Sequence, residues 1–466
     1  MMQLGNTYTE QLSEHFYELR QPETQPNAEL ILFNEELAAF LGLEHKLDVD
    51  SLTAIYSGTT IPEHLTPIAM AYAGHQFGNF VPQLGDGRAV MLGDITASNE
   101  LRYDIQLKGS GQTRFSRAGD GKSALGPVIR EYVVSEAMFN LGIPTTRALA
   151  AVNTGETVYR QQPEPGGVFT RVARGHVRIG TFEFFAARQM NDEIKQLADY
   201  CIERLYPEAK HYSNPYLAFF DLVSQNIMSL VAKWQGVGFI HGVMNTDNMS
   251  IAAETIDYGP CAFMDEFRAD KVFSSIDQHG RYAFNQQPAI AQWNLSILAS
   301  CLVPLIHDDE AQAIELLNEK MRALQEYFEA QWLTVFRAKF GLFNEEPEDK
   351  ALIENFLNHM QVQRQDYTIG FRELLTDRSE QHAQRLERQE QSLEEAVALM
   401  TQSNPFIIPR NHQVEQAIQD ANRGDFAHFK RLVSAYQKPY ESNAENMDLT
   451  LPPKASEVVT QTFCGT

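Results

Sequence analysis

The sequence predicts an α+β fold, because a strand-rich segment lies between segments whose apolar residues repeat with helical spacing. Within residues 81–165, an apolar run at 89–92 and an alternating pattern at 103–108 are typical of strands. From residue 166 onward, apolar repeats such as 217–235 have the period and length of helices. We therefore expect a smaller strand-rich lobe followed by a larger helical one.

Strands and helices are predicted in order along the chain. Apolar, β-branched and aromatic residues bounded by turn residues predict strands at 89–92, 103–108, 145–152, 157–160 and 168–172. Helical spacing predicts helices at 34–41, 127–138, 182–190, 217–235, 292–305 and 380–400. Thr181 is the expected N-cap of the third helix. The stretch 161–167, with two Pro and two Gly, is expected to be a hinge.

These elements divide the chain into four expected parts. Residues 1–80 form a mostly helical extension, 81–165 a strand-rich lobe, 166–310 a helical lobe, and 311–466 a charged helical extension. A chain of 466 residues is long enough for two or three hydrophobic cores.

Composition and charge argue against several classes of protein. A hydrophobic fraction of 43% suits a globular protein. A formal net charge of −23 argues against a dedicated nucleic-acid binder, which needs clustered Lys and Arg. The longest apolar stretch, at 297–306, is too short to span a bilayer, and the N-terminus has no signal-peptide pattern, so no membrane contact is expected. Four cysteines without metal-binding spacing are typical of a reducing compartment, which predicts a cytoplasmic protein.

One motif carries most of the chemical information: His241-Gly242-Val243-Met244-Asn245-Thr246-Asp247-Asn248, followed nine residues later by Asp257-Tyr258-Gly259. It resembles the catalytic loop and the Asp-Phe-Gly triplet of a protein kinase. Asn248 and Asp257 stand where a kinase binds Mg²⁺, and both offer the hard oxygen ligands that Mg²⁺ prefers. The position of the kinase base holds Val243, which cannot accept a proton. The nearest carboxylate, Asp247, is therefore the candidate base.

Two glycine-containing segments are candidate phosphate-binding loops. Gly85, Gly87 and Arg88 precede a predicted strand, and glycine lets backbone amides approach phosphate oxygens closely. Asp120 and Gly121 lie in a Gly-, Ser- and Arg-rich loop before a predicted helix. Each segment has an ordinary alternative, which is a hairpin turn for the first and a solvated linker for the second.

Lys108 ends a predicted strand and is a candidate phosphate contact, as the strand lysine of a kinase is. A kinase pairs this lysine with a glutamate on the following helix. Glu131 and Glu136 compete for that place, because five residues separate them by about 140° around a helix. Only one can face the cleft, and periodicity does not decide which.

Arg171 and Arg178 extend the candidate cationic set. Their planar guanidinium groups suit bidentate contact with phosphate. The alternative is an ordinary exposed basic patch. In a protein with a net charge of −23, a local cluster of arginines is the more informative feature.

Over most of its length the chain resembles the selenoprotein O family, also called the YdiU family. The blocks that carry the resemblance are Tyr72-Ala73-Gly74-His75-Gln76-Phe77-Gly78, the His241 loop, Gln286-Gln287-Pro288, Asn404-Pro405-Phe406 and Pro409-Arg410-Asn411-His412. The resemblance implies a two-lobed protein-kinase-like fold with helical N- and C-terminal extensions. It also implies that ATP binds in an inverted orientation and that AMP, not phosphate, is transferred to protein hydroxyls.

Carried over position by position, the resemblance implies a role for each candidate residue. Lys108 pairs with Glu131, Asp247 corresponds to the base, and Asn248 and Asp257 correspond to the metal ligands. The implied nucleotide contacts, beside Lys108, Glu131 and Asp257, are Gly85, Gly87, Arg88, Asp120, Gly121, Arg171 and Arg178.

The chain departs from selenocysteine-containing members near its C-terminus, where it has Cys464. Some bacterial relatives place a partner cysteine in the loop after the metal-binding Asp. Residues 271–275 contain none here, and Cys261 lies earlier.

The sequence thus predicts a protein nucleotidyltransferase. A Ser, Thr or Tyr hydroxyl of a target protein would attack the α-phosphorus of ATP, or of UTP, and Asp247 would take the proton. Mg²⁺ or Mn²⁺ held by Asn248 and Asp257 would neutralise the developing charge. Two alternatives are a kinase that transfers the γ-phosphoryl group with Asp247 as a displaced base, and a non-catalytic ATP-binding scaffold. The expected partners are the nucleotide and protein substrates.

Overall fold

The computed structural model describes residues 4–43 and 47–462. The strands are β1 (Tyr17–Leu19), β2 (Glu29–Phe33), β3 (Ile68–Met70), β4 (Gly74–Gln76), β5 (Asn79–Val81), β6 (Ala89–Thr96), β7 (Arg102–Lys108), β8 (Ser123–Ala124), β9 (Arg147–Tyr159), β10 (Pro163–Ala173), β11 (Phe239–Ile240) and β12 (Ala262–Phe263). The helices are α1 (Thr7–Gln11), α2 (Glu35–Leu41), α3 (Val49–Tyr56), α4 (Leu125–Asn140), α5 (Ile179–Ala186), α6 (Asn191–Leu205), α7 (Pro215–Gly236), α8 (Gln287–Ile306), α9 (Glu310–Lys339), α10 (Asp349–Gln363), α11 (Tyr367–Glu373), α12 (Glu380–Leu386), α13 (Leu393–Ser403), α14 (Asn411–Ala421) and α15 (Ala427–Ala435).

The fold is α+β, with one large antiparallel sheet and many helices. The sheet order is β1-β3-β6-β7-β10-β9-β2, and β8 pairs with β10 near its N-terminal end, at Gly166 and Gly167. Lys108 on β7 lies opposite Ala89 on β6 and Phe169 on β10. Helix α4 covers one face of the sheet, where Tyr132 and Phe169 share a buried apolar cluster. This packing places α4 over β9 and β10, and the Glu131 side chain of α4 reaches Lys108 at the end of β7.

Helix α7 is the centre of the helical part of the molecule. It begins at an Asn214 cap followed by Pro215, which is a favourable first helical residue. Its buried face, including Phe219, Val223 and Trp234, packs in one core with α8 and α9. The chain leaves α7 directly into β11, so this buried helix fixes the position of the loop that follows.

The predictions of regular local elements are largely confirmed. The structure has strands at 89–96, 102–108 and 163–173, and helices that contain the predicted spans 127–138, 217–235 and 292–305. The Asn34 side chain caps α2, as its position before an amphipathic turn predicts.

The prediction that residues 1–80 are mostly helical is wrong. Strands β1 and β3 extend one side of the large sheet and β2 ends the other, while β4 and β5 form a separate hairpin. These strands have only three to five residues, and β1, β2 and β3 find their partners far away in sequence. Short strands of this kind leave little local pattern to read.

The expected hinge at 161–167 is also wrong. Strand β9 is continuous from Arg147 to Tyr159, and the chain turns directly into β10, with Pro163 opposite Tyr159. A register shift between Pro165 and Gly167 absorbs the Pro- and Gly-rich sequence as a bulge.

Two helix boundaries differ from the predicted ones. Arg178, not Thr181, is the N-cap of α5; the Thr181 hydroxyl accepts a hydrogen bond from the Arg178 backbone amide at 3.1 Å. The span predicted as one helix at 380–400 is two helices, α12 and α13, because Ser392 caps a new start.

Helix α8 corrects the statement that the longest apolar stretch is too short to cross a bilayer. The span Phe284–Ile306 has 23 residues with a mean hydropathy of 1.6, enough by length and composition alone. In the structure Leu295, Leu298 and Leu302 of this helix are buried in the core shared with α7 and α9. The apolar residues of α8 therefore form part of the hydrophobic core of the protein.

The C-terminal helices are fastened to the segment that follows Asp257. Arg410 is buried and donates to Asp265 at 2.5 Å and to Asp366 at 2.8 Å. The Asn411 amide donates to the Phe263 carbonyl at 3.0 Å. Cys464, where this chain departs from the selenocysteine-containing relatives, lies outside the described residues.

Candidate active site

Two cations and two carboxylates meet where β7, β10 and α4 converge. Lys108 Nζ lies 2.7 Å from Glu131 Oε2 and also contacts the Asp257 carboxylate. Arg171 Nη1 lies 3.2 Å from both Glu131 Oε1 and Asp257 Oδ1. Burial opposes ionisation of Asp257, but the charges of Lys108 and Arg171 hold its pKa well below the usual range. The four groups form one compact cluster in which each cation contacts both carboxylates.

Of the two competing glutamates, Glu131 is the one that faces Lys108. Glu136 accepts hydrogen bonds from the Arg147 guanidinium at 2.8 Å and from the Asn34 amide at 2.8 Å. The two carboxylates thus serve opposite faces of α4, as their angular separation requires.

Arg178 joins this cluster through Asp86 and Gln106. Arg178 Nη1 lies 3.4 Å from Asp86 Oδ1, and its guanidinium stacks over the Tyr72 ring at 4.4 Å. The Gln106 amide donates to Asp86 at 3.0 Å and accepts from Arg171 at 2.6 Å. Gln106 therefore links the two arginines into one buried network.

The motif loop from His241 to Asp257 is held rigidly from inside. His241 Nε2 lies 2.9 Å from the Ile256 carbonyl, next to Asp257. Asn248 donates its side-chain amide to the Val243 carbonyl at 3.0 Å, which leaves its oxygen as the possible ligand atom. Asp257 itself has a φ of 66°, a left-handed conformation that a non-glycine residue adopts only when its surroundings enforce it.

Asp247 is buried beside the cluster. Burial raises its pKa to about 6, and the negative charge of Asp257 acts in the same direction. The charge of Arg178 and a hydrogen bond from the Gln76 side chain oppose the rise. Among the described residues, Asp247 Oδ1 has no hydrogen-bond partner. A carboxylate of this kind can take up a proton near neutral pH.

The glycine turn at 85–88 packs against a second loop. A Cβ on Gly85 would lie 2.3 Å from the Phe115 ring, and one on Gly87 would lie 2.9 Å from the Phe115 carbonyl oxygen. The backbone amides of Asp86 and Gly87 donate to carbonyls within the protein, at 2.9 and 2.8 Å. Glycine is thus required here by packing, and the nucleotide contacts expected of Gly85, Gly87 and the half-buried Arg88 stay a prediction.

Asp120 and Gly121 lie apart from the Lys108 cluster. Asp120 is exposed and accepts two hydrogen bonds from Arg160, at 2.8 and 3.0 Å. Gly121, at a φ of 69°, packs against the backbone of Gly111. Arg160 lines a cavity of about 820 Å³ that extends to Pro260, three residues after Asp257. Asp120 is connected to this cavity only through Arg160, and neither Asp120 nor Gly121 is among the residues that line the cavity.

Comparison with known proteins identifies the family. The model of a family described as protein adenylyltransferase SelO matches residues 3–390. A protein nucleotidyltransferase YdiU of Rhizobium etli is 50% identical over 478 residues, covering 98% of this chain and 96% of the relative. A protein nucleotidyltransferase YdiU of Agrobacterium fabrum is 49% identical over the full length of both chains. The protein of the same name from Maridesulfovibrio salexigens is 48% identical and covers 100% of this chain and 99% of the relative.

This chain belongs to the SelO/YdiU family. It is an enzyme of the protein adenylyltransferase, or nucleotidyltransferase, class.

The residues of this SelO/YdiU protein fit a small hard cation, although no group of three or more His, Cys, Asp or Glu forms a metal site among the residues that the structure describes. Mg²⁺ is commonly held by one or two protein carboxylates together with substrate phosphates, so a large ligand cluster is not required. The Asn248 side-chain oxygen and the Asp257 carboxylate are both hard donors. These atoms suit Mg²⁺ or Mn²⁺.

Sequence reasoning missed several polar residues of the site. Gln106 shares the strand face of Lys108, and that alternation was a usable signal. Asp86 lies between two glycines and gave no separate signal, although its side chain connects Arg178 to the network. Tyr72 and Gln76 lie in a sequence block that was noticed only through the family resemblance. No local pattern marks them, because the residues near them in the site, Arg178 and Asp247, are distant in sequence.

Proposed function

We propose that this protein has a two-lobed protein-kinase-like fold and transfers AMP from ATP to Ser, Thr or Tyr hydroxyls of other proteins. The observation that carries the proposal is that the carboxylate of the motif loop is not at the position of the kinase base. Val243 stands where a kinase has its base, and a buried carboxylate, Asp247, lies four residues later beside the candidate metal ligands.

The two-lobed arrangement is supported by the way the cluster joins sheet and helices. The pair between Lys108 on β7 and Glu131 on α4 has the form of the strand-lysine and helix-glutamate pair of kinases. The opposite side of the cluster comes from the loop that leaves α7, which delivers His241 and Asp257.

Lys108, Arg171 and Arg178 are the groups that would hold the phosphates. Arg171 and Arg178 are both buried, and their guanidinium groups are fixed by Gln106 and Asp86. Fixed cations in a water-poor site bind phosphate oxygens strongly, because no reorganisation is needed when charge develops. The cavity lined by Arg160 and Pro260 is large enough for the remainder of a nucleotide.

Asn248 and Asp257 would hold Mg²⁺ or Mn²⁺, which neutralises phosphate charge when it is bound. In the transfer, the hydroxyl oxygen of the target forms a bond to the α-phosphorus, and the bond from that phosphorus to the bridging oxygen breaks. Pyrophosphate leaves with the bonding electron pair, and the hydroxyl proton passes to Asp247. UTP would serve in the same way if the site also accepts uracil.

Parallel labelling tests the reaction. The protein is incubated with a bacterial protein extract and with ATP labelled at the α- or the γ-phosphorus, with either cation. We expect protein-bound label only from the α-position, together with a mass increase of one AMP on modified proteins. Label from the γ-position alone would show that the protein is a kinase. The absence of label from both positions would show that it is a non-catalytic ATP-binding scaffold. Labelled UTP in place of ATP compares the two nucleotides.

A further inference from the structure

A second cavity opens beside the motif loop, next to the hairpin of β4 and β5. It has a volume of about 900 Å³ and lies between Phe77 and Asn79 of the hairpin and residues 276–281 and 285–286. We propose that this cavity, the acceptor groove, binds the target protein beside its acceptor hydroxyl, and that Arg281 selects targets with an acidic side chain near that hydroxyl. The inference rests on the proposed function, because it concerns the second substrate of the same transfer.

The acceptor groove adjoins the two parts of the site that the transfer needs. Ile276 lines both this groove and the cavity assigned to the remainder of the nucleotide. Phe77 also lines the groove, and its amide donates to Asn245 Oδ1 at 3.0 Å, two residues before Asp247. A segment bound in the groove would therefore lie next to the nucleotide and next to the loop that carries the proposed base.

The wall of the groove at Phe77 is fixed. Phe77 has a φ of 51°, which a bulky non-glycine residue adopts only when its surroundings enforce it. Its ring packs against the Tyr282 ring at 5.2 Å between centroids. The Tyr282 hydroxyl donates at 2.6 Å to the same Asn245 oxygen that accepts the Phe77 amide. A fixed wall lowers the cost of ordering the protein when a target binds.

Arg281 brings into the groove a positive charge that the carboxylates of the groove do not neutralise. Asp277 is buried and accepts the backbone amides of Arg281 and Tyr282, at 2.9 and 2.8 Å. Asp270 is paired with Arg268 at 2.9 Å. Among residues 4–43 and 47–462, no carboxylate forms an ion pair with the Arg281 guanidinium. A carboxylate of the target would supply the missing negative charge.

The Arg281 guanidinium is oriented by an aromatic ring and not by a counter-ion. Its Cζ lies 4.6 Å from the centroid of the Trp293 ring, and a Cβ on Gly78 would lie 3.6 Å from it. A guanidinium placed over a ring can still present its N–H groups edge-on to a carboxylate, which it binds through two hydrogen bonds. In a chain with a net charge of −23, a cation of this kind favours an acidic side chain at this point over a basic one.

The test maps the hydroxyls that the full-length protein modifies in a bacterial protein extract, for the wild type and for Arg281→Gln, Arg281→Lys and Arg281→Glu. Mass spectrometry identifies each site that gains AMP, and its neighbours are compared with those of unmodified Ser, Thr and Tyr. We expect acidic residues to be enriched near the sites of the wild type and of the Lys variant. In the Gln variant, transfer to acid-flanked sites should fall about 10–100-fold, the range of one charge-assisted hydrogen bond. In the Glu variant, Lys and Arg should be enriched instead.

Arg188→Gln is the matched control. The Arg188 guanidinium also lies over an aromatic ring, 3.6 Å from the Phe184 centroid, and donates to the Pro82 carbonyl beside the same hairpin at 3.0 Å. It is not among the residues that line the groove. This variant should keep the wild-type rate and the preference for acidic neighbours. The Kd for ATP and the midpoint of thermal unfolding should be unchanged in every variant.

The charge at position 281 decides between the outcomes. If the Gln and Lys variants behave alike, whether active or inactive, or if the wild type shows no preference for acidic neighbours, the proposal is overturned. A Gln variant with weakened ATP binding would make Arg281 a nucleotide contact, which also overturns it. If the wild-type protein itself transfers no AMP, the proposed function fails, and this result differs from an active protein that is indifferent to the charge of Arg281.

Discussion

At the scale of single residues, Asp257 is the point at which the charges of the site meet. Its carboxylate contacts both Lys108 and Arg171, and the two cations share Glu131 as their second partner. The proposed metal would compete with these cations for the same carboxylate. The loss of Asp257 would thus remove the charged metal ligand and one half of the negative charge in the cluster.

Asp257→Ala is expected to abolish AMP transfer in both Mg²⁺ and Mn²⁺ while the protein stays folded. Lys108 and Arg171 would keep Glu131 as a partner, so no cation of the cluster is stranded. The check is transfer of α-label with each cation in turn, alongside circular dichroism. Asp270→Ala, which removes an exposed carboxylate paired with Arg268, is the control. Wild-type activity in Asp257→Ala would show that the metal ligand lies elsewhere.

Lys339 is a buried residue whose contribution to stability is expected to depend on pH. It is buried at the end of α9, its ammonium lies 4.1 Å from the centroid of the Phe371 ring, and no carboxylate pairs with it in the described part of the chain. Burial lowers its pKa from 10.5 to about 7. Below pH 7 both the folded and unfolded states carry the proton, and the full cost of the buried charge is present. Between pH 7 and 10.5 only the unfolded state is protonated, so stability rises with pH.

Lys339→Met should therefore stabilise the protein, by about 1–3 kcal/mol at pH 6, which is the usual cost of a buried group without a partner. The gain should shrink as the pH approaches 10, because the lysine is then neutral in the fold. Urea denaturation at both pH values measures it. Lys350→Met, which changes a half-exposed lysine paired with Glu329, should have little effect at either pH. A gain independent of pH would mean that packing and not charge decides the outcome.

At the scale of elements, Arg410 connects the C-terminal helices to the segment after β12. Its guanidinium is 1% exposed and serves Asp265, Asp366 and the Thr450 carbonyl. The block Pro409–His412 was noticed in the sequence by resemblance alone, and the structure gives it a physical use. It fastens α14 next to the loop of the candidate site.

Arg410→Ala should destabilise the fold by about 3–5 kcal/mol, because two carboxylates would lose a buried cation. Arg423→Ala removes an exposed arginine that pairs with Asp420, and it should cost less than about 1 kcal/mol. Chemical denaturation of both variants makes the comparison. Equal losses would show that the buried cluster contributes no more than a surface pair.

The elements also mark what could be predicted from sequence. Strand β7, helix α4 and helix α7 follow from local patterns, because the apolar residues of each recur with the period of the element that it forms. Strands β1 and β3 could not be predicted, since their partners are remote and three residues give no period. The Pro- and Gly-rich start of β10 was misread because a hairpin end tolerates residues that also favour hinges.

At the scale of the whole molecule, the site depends on contacts between distant segments. The sequence motif brought Asp247, Asn248 and Asp257 to attention, and a strand pattern brought Lys108. Their surroundings come from elsewhere: the glycine at position 74, the amide of Gln76 and the carboxylate of Asp86 approach only when the hairpin, the sheet and α5 are assembled. Residue chemistry is local, but the protonation and placement of Asp247 are products of the fold.

The measurement that tests the account most directly separates binding from chemistry at Asp247. Asp247→Asn keeps the size of the side chain and loses the proton acceptor, so the rate of AMP transfer at saturating ATP should fall about 10²–10⁴-fold. The affinity for ATP, measured by calorimetry with metal present, should change little. Lys108→Ala should instead weaken ATP binding as well as the rate, because it removes a proposed phosphate contact and the cation nearest to Glu131. The account would be contradicted if the Asp247→Asn variant lost affinity for ATP but kept the wild-type rate at saturating ATP. Asp247 would then be a ligand of the nucleotide or of the metal.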